Sequence, residues 1–176
     1  MIRAHETPTT LTLVVDGPAT IAESPAVSTT AKEAIGRGAR TLRLDLRDCT
    51  SIDSTFSGTL LSLERLLTGV GGTLTLVSPS AKVRDLLEKM GLEDFYAIEL
   101  AARPDAKGTE VPLTRPTAER LGRMVLAAHD ELARVPGPAG TTFRTVVEEM
   151  RRDESQGSQG PLPDGSTPRR PAPTVH

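Results

Sequence analysis

Between Leu11 and Val15 apolar residues alternate with polar ones, and the run ends at Asp16-Gly17-Pro18. A period of two closed by turn residues predicts a strand. Leu42, Leu44 and Leu46 alternate with Arg43, Asp45 and Arg47 and predict a second strand. Thr73–Val77 reads as a third, and Phe95–Leu100 as a short last one. Between the strands the period lengthens. The stretch from about Pro25 to Ile35 is helix-like, with Gly36 and Gly38 as stops. Phe56, Leu60, Leu63 and Leu67 recur at four, three and four, with Leu61 and Leu66 widening the stripe. This predicts a firmly docked amphipathic helix, capped by Asp53 and ended by Gly69, Gly71 and Gly72. Ser78-Pro79 reads as the N-cap and first residue of a further helix, striped by Val83, Leu86, Leu87 and Met90. Gly91-Leu92 reads as its Schellman stop. Strands alternating with helices predict an α/β fold, a small sheet with helices packed on it.

Arg103-Pro104-Asp105 breaks this pattern. Beyond it, Leu121, Met124, Val125, Ala128 and Leu132 make one face of a helix over about 116–135. Pro136-Gly137-Pro138-Ala139-Gly140 interrupts, and Phe143, Val146, Val147 and Met150 stripe a shorter helix. Residues 114–152 are therefore expected to form a helical hairpin outside a domain spanning 9–102. Its apolar residues Leu121, Met124, Val125 and Leu132 should cover an open face of the sheet or form a homodimer contact. Residues 153–176 are Gly, Pro, Ser and charge, a composition that predicts a disordered tail.

Composition narrows the function classes. A net charge of −2 and 2% aromatic residues argue against a nucleic-acid surface. No run approaches the roughly 18 apolar residues that cross a bilayer, so no membrane insertion is expected. One cysteine, Cys49, leaves no internal disulfide and fits a reducing compartment, so the expected location is the cytoplasm.

The chemistry concentrates in Asp53-Ser54-Thr55, which opens the central helix with two hydroxyls where backbone N–H groups are free. The plain reading is a capping segment, with the Asp53 carboxylate accepting from the N–H of Thr55 or Phe56. The other reading is a phosphorylation switch on an exposed surface, where the helix dipole favours a phosphate by about 0.3–1 kcal/mol. Cys49 with His129 makes an unconvincing nucleophile pair, since a small buried thiol is the commoner use of a free cysteine. His129-Asp130-Glu131 lacks metalloprotease spacing and reads as the solvated edge of a helix. Gly69-Val70-Gly71-Gly72 follows a helix, the reverse of a phosphate-cradling loop, and Arg169-Arg170 is a short basic run. No metal set, cofactor site or acid–base pair emerges, so an enzyme is not expected.

The order and spacing of Leu44-Asp45-Leu46, Ile52-Asp53-Ser54-Thr55, Leu60-Leu61, Gly72-Thr73-Leu74-Thr75-Leu76-Val77, Val83, Leu86-Leu87 and Gly91-Leu92 resemble the STAS domain. That domain is shared by sulfate transporters and anti-sigma factor antagonists. The resemblance implies a STAS-like α/β sheet and a phosphoacceptor at Thr55, with Ser54 beside it. It also implies partner switching. The unphosphorylated antagonist would bind an anti-sigma factor with Ser/Thr kinase activity, phosphorylation would release it, and a Ser/Thr phosphatase would restore binding. The partner-binding face implied by position is Ser51, Asp53, Ser54, Thr55, Ser57 and Gly58. Phe56 departs from the glycine that many antagonists carry directly after the hydroxyl pair. The alternative implied by the same family is a non-switching accessory subunit of a transport system, for example a lipid-transport ATPase.

Overall fold

Rows of leucines fix the sheet of the computed structural model, which describes residues 1–101, 108–113 and 115–157. Strands β2 (Thr10–Val15), β4 (Thr41–Asp45) and β6 (Thr73–Val77) are parallel. Leu11 lies beside Leu42 and Leu42 beside Leu74; Leu13, Leu44 and Leu76 make a second row. β7 (Ala97–Glu99) adds in parallel to β6. On the other side β1 (Ile2–Glu6) runs antiparallel to β2, and β8 (Thr109–Glu110) antiparallel to β1, giving the order β7-β6-β4-β2-β1-β8. The leucines are buried, whereas Thr12, Arg43 and Thr75 on the opposite face are half-buried. Only one face carries the helices' apolar cover, which is why the strands alternate despite their parallel pairing.

A separate parallel pair, β3 (Gly17–Ala19) with β5 (Cys49–Ile52), delivers the chain to the starts of two helices. Helix α1 (Ser24–Arg37) buries mainly small residues, Ala26, Val27, Ala31 and Ala34. Helix α2 (Ser54–Gly69) buries Phe56, Leu60, Leu63 and Leu67. Each such large side chain removed from water contributes about 1.5–3 kcal/mol, so these four anchor α2.

Helix α3 (Ala81–Lys89) starts later than Ser78-Pro79 implies. Ser80 is its N-cap, accepting from the Val83 N–H at 3.3 Å. Ser78 instead has φ +48 and exchanges hydrogen bonds with the backbone of Ala101. The Schellman stop is present: the Leu92 N–H donates to Leu87 and the Gly91 N–H to Glu88.

The C-terminal helices are α4 (Ala118–Ala133) and α5 (Pro138–Gly157). The turn between them needs Gly140, because a Cβ there would lie 1.8 Å from the Val135 carbonyl oxygen. Helix α4 packs on α2 and not on the open face of the sheet. The expected tail from 153 begins as helix: α5 continues to Gly157, through the good helix formers Glu154 and Gln156. The rest of that stretch, 158–176, lies outside the described residues. Among the described residues no helix is long and apolar enough to cross a membrane.

Candidate functional site at the start of the central helix

Asp53 sets the geometry, and both carboxylate oxygens are used. One accepts from the Phe56 N–H at 2.7 Å, capping α2; the other accepts from the Ile21 N–H at 2.8 Å. The Asp53 N–H in turn donates to the Ala19 carbonyl. The segment before α1 and the first turn of α2 are thereby held as one unit.

The hydroxyls that follow have different fates. Ser57 is fully buried, and its hydroxyl donates to the Asp53 carbonyl at 2.9 Å. Thr59 donates to the Thr55 carbonyl at 2.8 Å. Such bonds to the preceding turn satisfy a hydroxyl within its own helix. Ser54 is half-buried and meets His129 Nε2 at 3.1 Å. Among the described residues no group hydrogen-bonds the Thr55 hydroxyl, although Thr55 is only 5% exposed. The expected exposed surface is therefore not exposed: Ser51, Asp53 and Ser54 are half-buried, and Thr55, Ser57 and Gly58 are buried.

Helix α4 covers Ser54 and Gly58. A Cβ at Gly58 would lie 2.1 Å from the Ala128 carbonyl oxygen and 2.8 Å from its Cα, so the two helices touch backbone to backbone. His129 is 8% exposed and corrects the expectation of a solvated helix edge. It lies one turn after Val125 and three residues before Leu132, which places it on the helix's inward face. Its Nδ1 donates to the Val125 carbonyl at 2.8 Å, so in the neutral ring Nε2 accepts from the Ser54 hydroxyl. Phe143 of α5 backs the imidazole, ring centres 6.0 Å apart. Glu131 pairs with Arg65 of α2 at 2.7 Å, and Asp130 with Arg151 of α5 at 2.9 Å.

Thr55, Thr59 and Ser62 form one column along α2, four and three residues apart, beside the column that meets α4. Thr59 and Ser62 floor a groove of about 630 Å³ between α1 and α4. Lys32, Arg120 and Arg123 stand on its walls, and among the described residues no carboxylate lines it. From the other side Tyr96 steadies α2, its hydroxyl 3.4 Å from the Ser57 carbonyl, and burial pushes its phenol far above the usual range.

Cys49 does not pair with His129. Its thiol donates to the Ser51 carbonyl, and burial pushes its pKa up, which suppresses the thiolate. Among the described residues no cluster of His, Cys, Asp and Glu is placed to hold a metal. Reading by sequence missed Ala128 and His129 as parts of this site. A signal existed: Thr55, Gly58, Thr59 and Ser62 are small residues at three, four and seven, the spacing that lets a second helix approach.

Residues 2–102 match the family described as Mlab, STAS domain. No curated protein matches the chain. Among solved structures, the anti-sigma factor antagonist SpoIIAA in its unphosphorylated form is similar, with a TM-score of 0.53 and 22% identity over 58% of this chain and 90% of that one. The Thermotoga maritima protein tm1081 gives a TM-score of 0.52 and 22% identity over 57% of this chain and 86% of that one. The Bacillus cell fate determinant SpoIIAA in its phosphorylated form gives 0.50 and 20% over 58% and 93%. At these identities the likeness is one of fold.

Proposed function

This chain belongs to the STAS family, and from that membership we propose that it is an anti-sigma factor antagonist working by partner switching. In this reading the unmodified chain binds an anti-sigma factor with Ser/Thr kinase activity in the cytoplasm. Phosphorylation of Thr55 releases it, a Ser/Thr phosphatase reverses the mark, and the chain itself catalyses nothing. The observation that carries the reading is the Asp53-capped hydroxyl pair opening α2, in which Ser54 is engaged by His129 and, among the described residues, none engages the Thr55 hydroxyl. That difference favours Thr55 over Ser54 as acceptor. The similar fold of SpoIIAA, an antagonist with a phosphorylated and an unphosphorylated form, supports it further.

One observation favours the second reading, a non-switching STAS subunit of a transport system such as a lipid-transport ATPase: Thr55 is buried. A permanently assembled subunit has no need to expose it. Phosphopeptide mapping of the chain isolated from its native cells separates the two. Phosphate on Thr55, absent in Thr55→Ala, is the result expected of the antagonist. An unmodified Thr55, with transport components copurifying equally with wild type and Thr55→Ala, would replace it with the subunit reading.

A further inference from the structure

We propose that the α4–α5 hairpin is a cover built into the chain, one that must leave α2 before any protein can bind or modify the Ser54–Gly58 face. The inference rests on the reading of Thr55 as acceptor and adds the regulation of that site.

Five observations carry it. Thr55 is 5% exposed and follows Ser54, which α4 holds through His129, so a kinase has no room to bring a phosphate donor in line with the Thr55 hydroxyl while that contact stands. Gly58 and Ala128 meet with no room for a side chain, so no partner element fits between α2 and α4 while they touch. The sheet keeps its own seal when the cover leaves, because Phe56, Leu60, Leu63 and Leu67 hold the opposite side of α2 against it, although Leu132, Val135 and Phe143 of the hairpin reach the edge of that core. Its hold is concentrated at one end: Ala128, His129 and Leu132 on α4 and Val135 just after it are buried, whereas Leu121, Met124, Val125 and Leu126 are half-buried. The hairpin lies beyond residue 102, where the family match ends, so it is an addition to the domain it covers.

Phosphate and cover exclude each other. A phosphothreonine carries about −1.5 to −2 charges, which a dehydrated helix interface does not accept unpaired. Once written, the mark would hold the hairpin away from α2.

The test is thiol reactivity in the full chain carrying Thr55→Cys, with iodoacetamide as probe and peptide mass as readout. Cys49, the first residue of β5 and 2% exposed, is a built-in reporter of global unfolding. The introduced thiol is expected to react roughly tenfold or more slower than a free thiol, the signature of local opening. Leu132→Ala on α4 should speed it by roughly tenfold with the Cys49 rate unchanged. His129→Ala serves as a second loosening variant should Leu132→Ala fail to fold. Reaction as fast as a free thiol, no response to either substitution, or a rise only in step with Cys49 would each overturn the cover. Thiol reactivity reports coverage alone, so the phosphopeptide experiment can fail without changing this result, and the reverse.

Discussion

Gly58 approaches Ala128 so closely that a single methyl group on it would lie 2.1 Å from the Ala128 carbonyl oxygen. Neither helix backbone can yield that distance locally, so Gly58→Ala should push α4 off α2. Overpacking of this kind costs about 1–3 kcal/mol. Hydrogen–deuterium exchange should show α4 and α5 losing protection while β2, β4 and β6 keep theirs. Uniform loss across the sheet would mean that the hairpin is integral to the core.

Asp53 holds two backbone N–H groups from distant parts of the chain, at 2.7 and 2.8 Å. Removing the carboxylate orphans both donors. Asp53→Ala should therefore destabilise by about 2–3 kcal/mol, more than an ordinary cap. Asp53→Asn keeps one acceptor oxygen and should recover part of that loss. Urea midpoints at unchanged slope check both.

Ser54 and His129 form one hydrogen bond across the α2–α4 contact. Ser54→Ala, His129→Ala and the double substitution should show coupling of about 0.5–1.5 kcal/mol. Additive effects would mean that the bond contributes nothing to holding the hairpin.

Tyr96 predicts a pH dependence with a definite sign. Burial raises its phenol pKa in the folded chain above the ordinary value near 10. The unfolded chain then loses its proton first, so this group's stabilisation is complete below about pH 10 and fades as pH rises beyond it. Tyr96→Phe should remove that alkaline component while also losing the hydroxyl's contact with Ser57. With one tyrosine and no tryptophan in the chain, phenolate absorbance reads the event directly and should appear only with unfolding.

The strands and helices with strong periods were legible: the leucine alternation of β2, β4 and β6 and the Phe56–Leu67 stripe follow from burial on one face. β1 was not, because Ile2 is the only buried residue in Ile-Arg-Ala-His-Glu and hydrogen bonding to β2 makes it a strand. β3 was hidden by Gly17 and Pro18, residues that ordinarily end strands. Ser78 and Ser80 flank Pro79, and either could cap α3; contact of Ser78 with Ala101, far along the chain, decides against it. At the candidate site, the Asp53 cap was readable from local spacing as a bond to the N–H of Thr55 or Phe56, and the structure has it on Phe56. The cover over Ser54 and Gly58 was not, since it depends on where an amphipathic helix some sixty residues later comes to rest.

That distance along the chain also has a direction. A ribosome adding roughly 5–20 residues per second completes β7 about 2–7 seconds ahead of α4, which ends 34 residues later. Each newly made molecule thus passes through an interval in which the sheet and α2 can assemble with Ser54 and Gly58 bare. The surface that the finished protein conceals is on view once, during its own synthesis, before the segment that conceals it has left the ribosome.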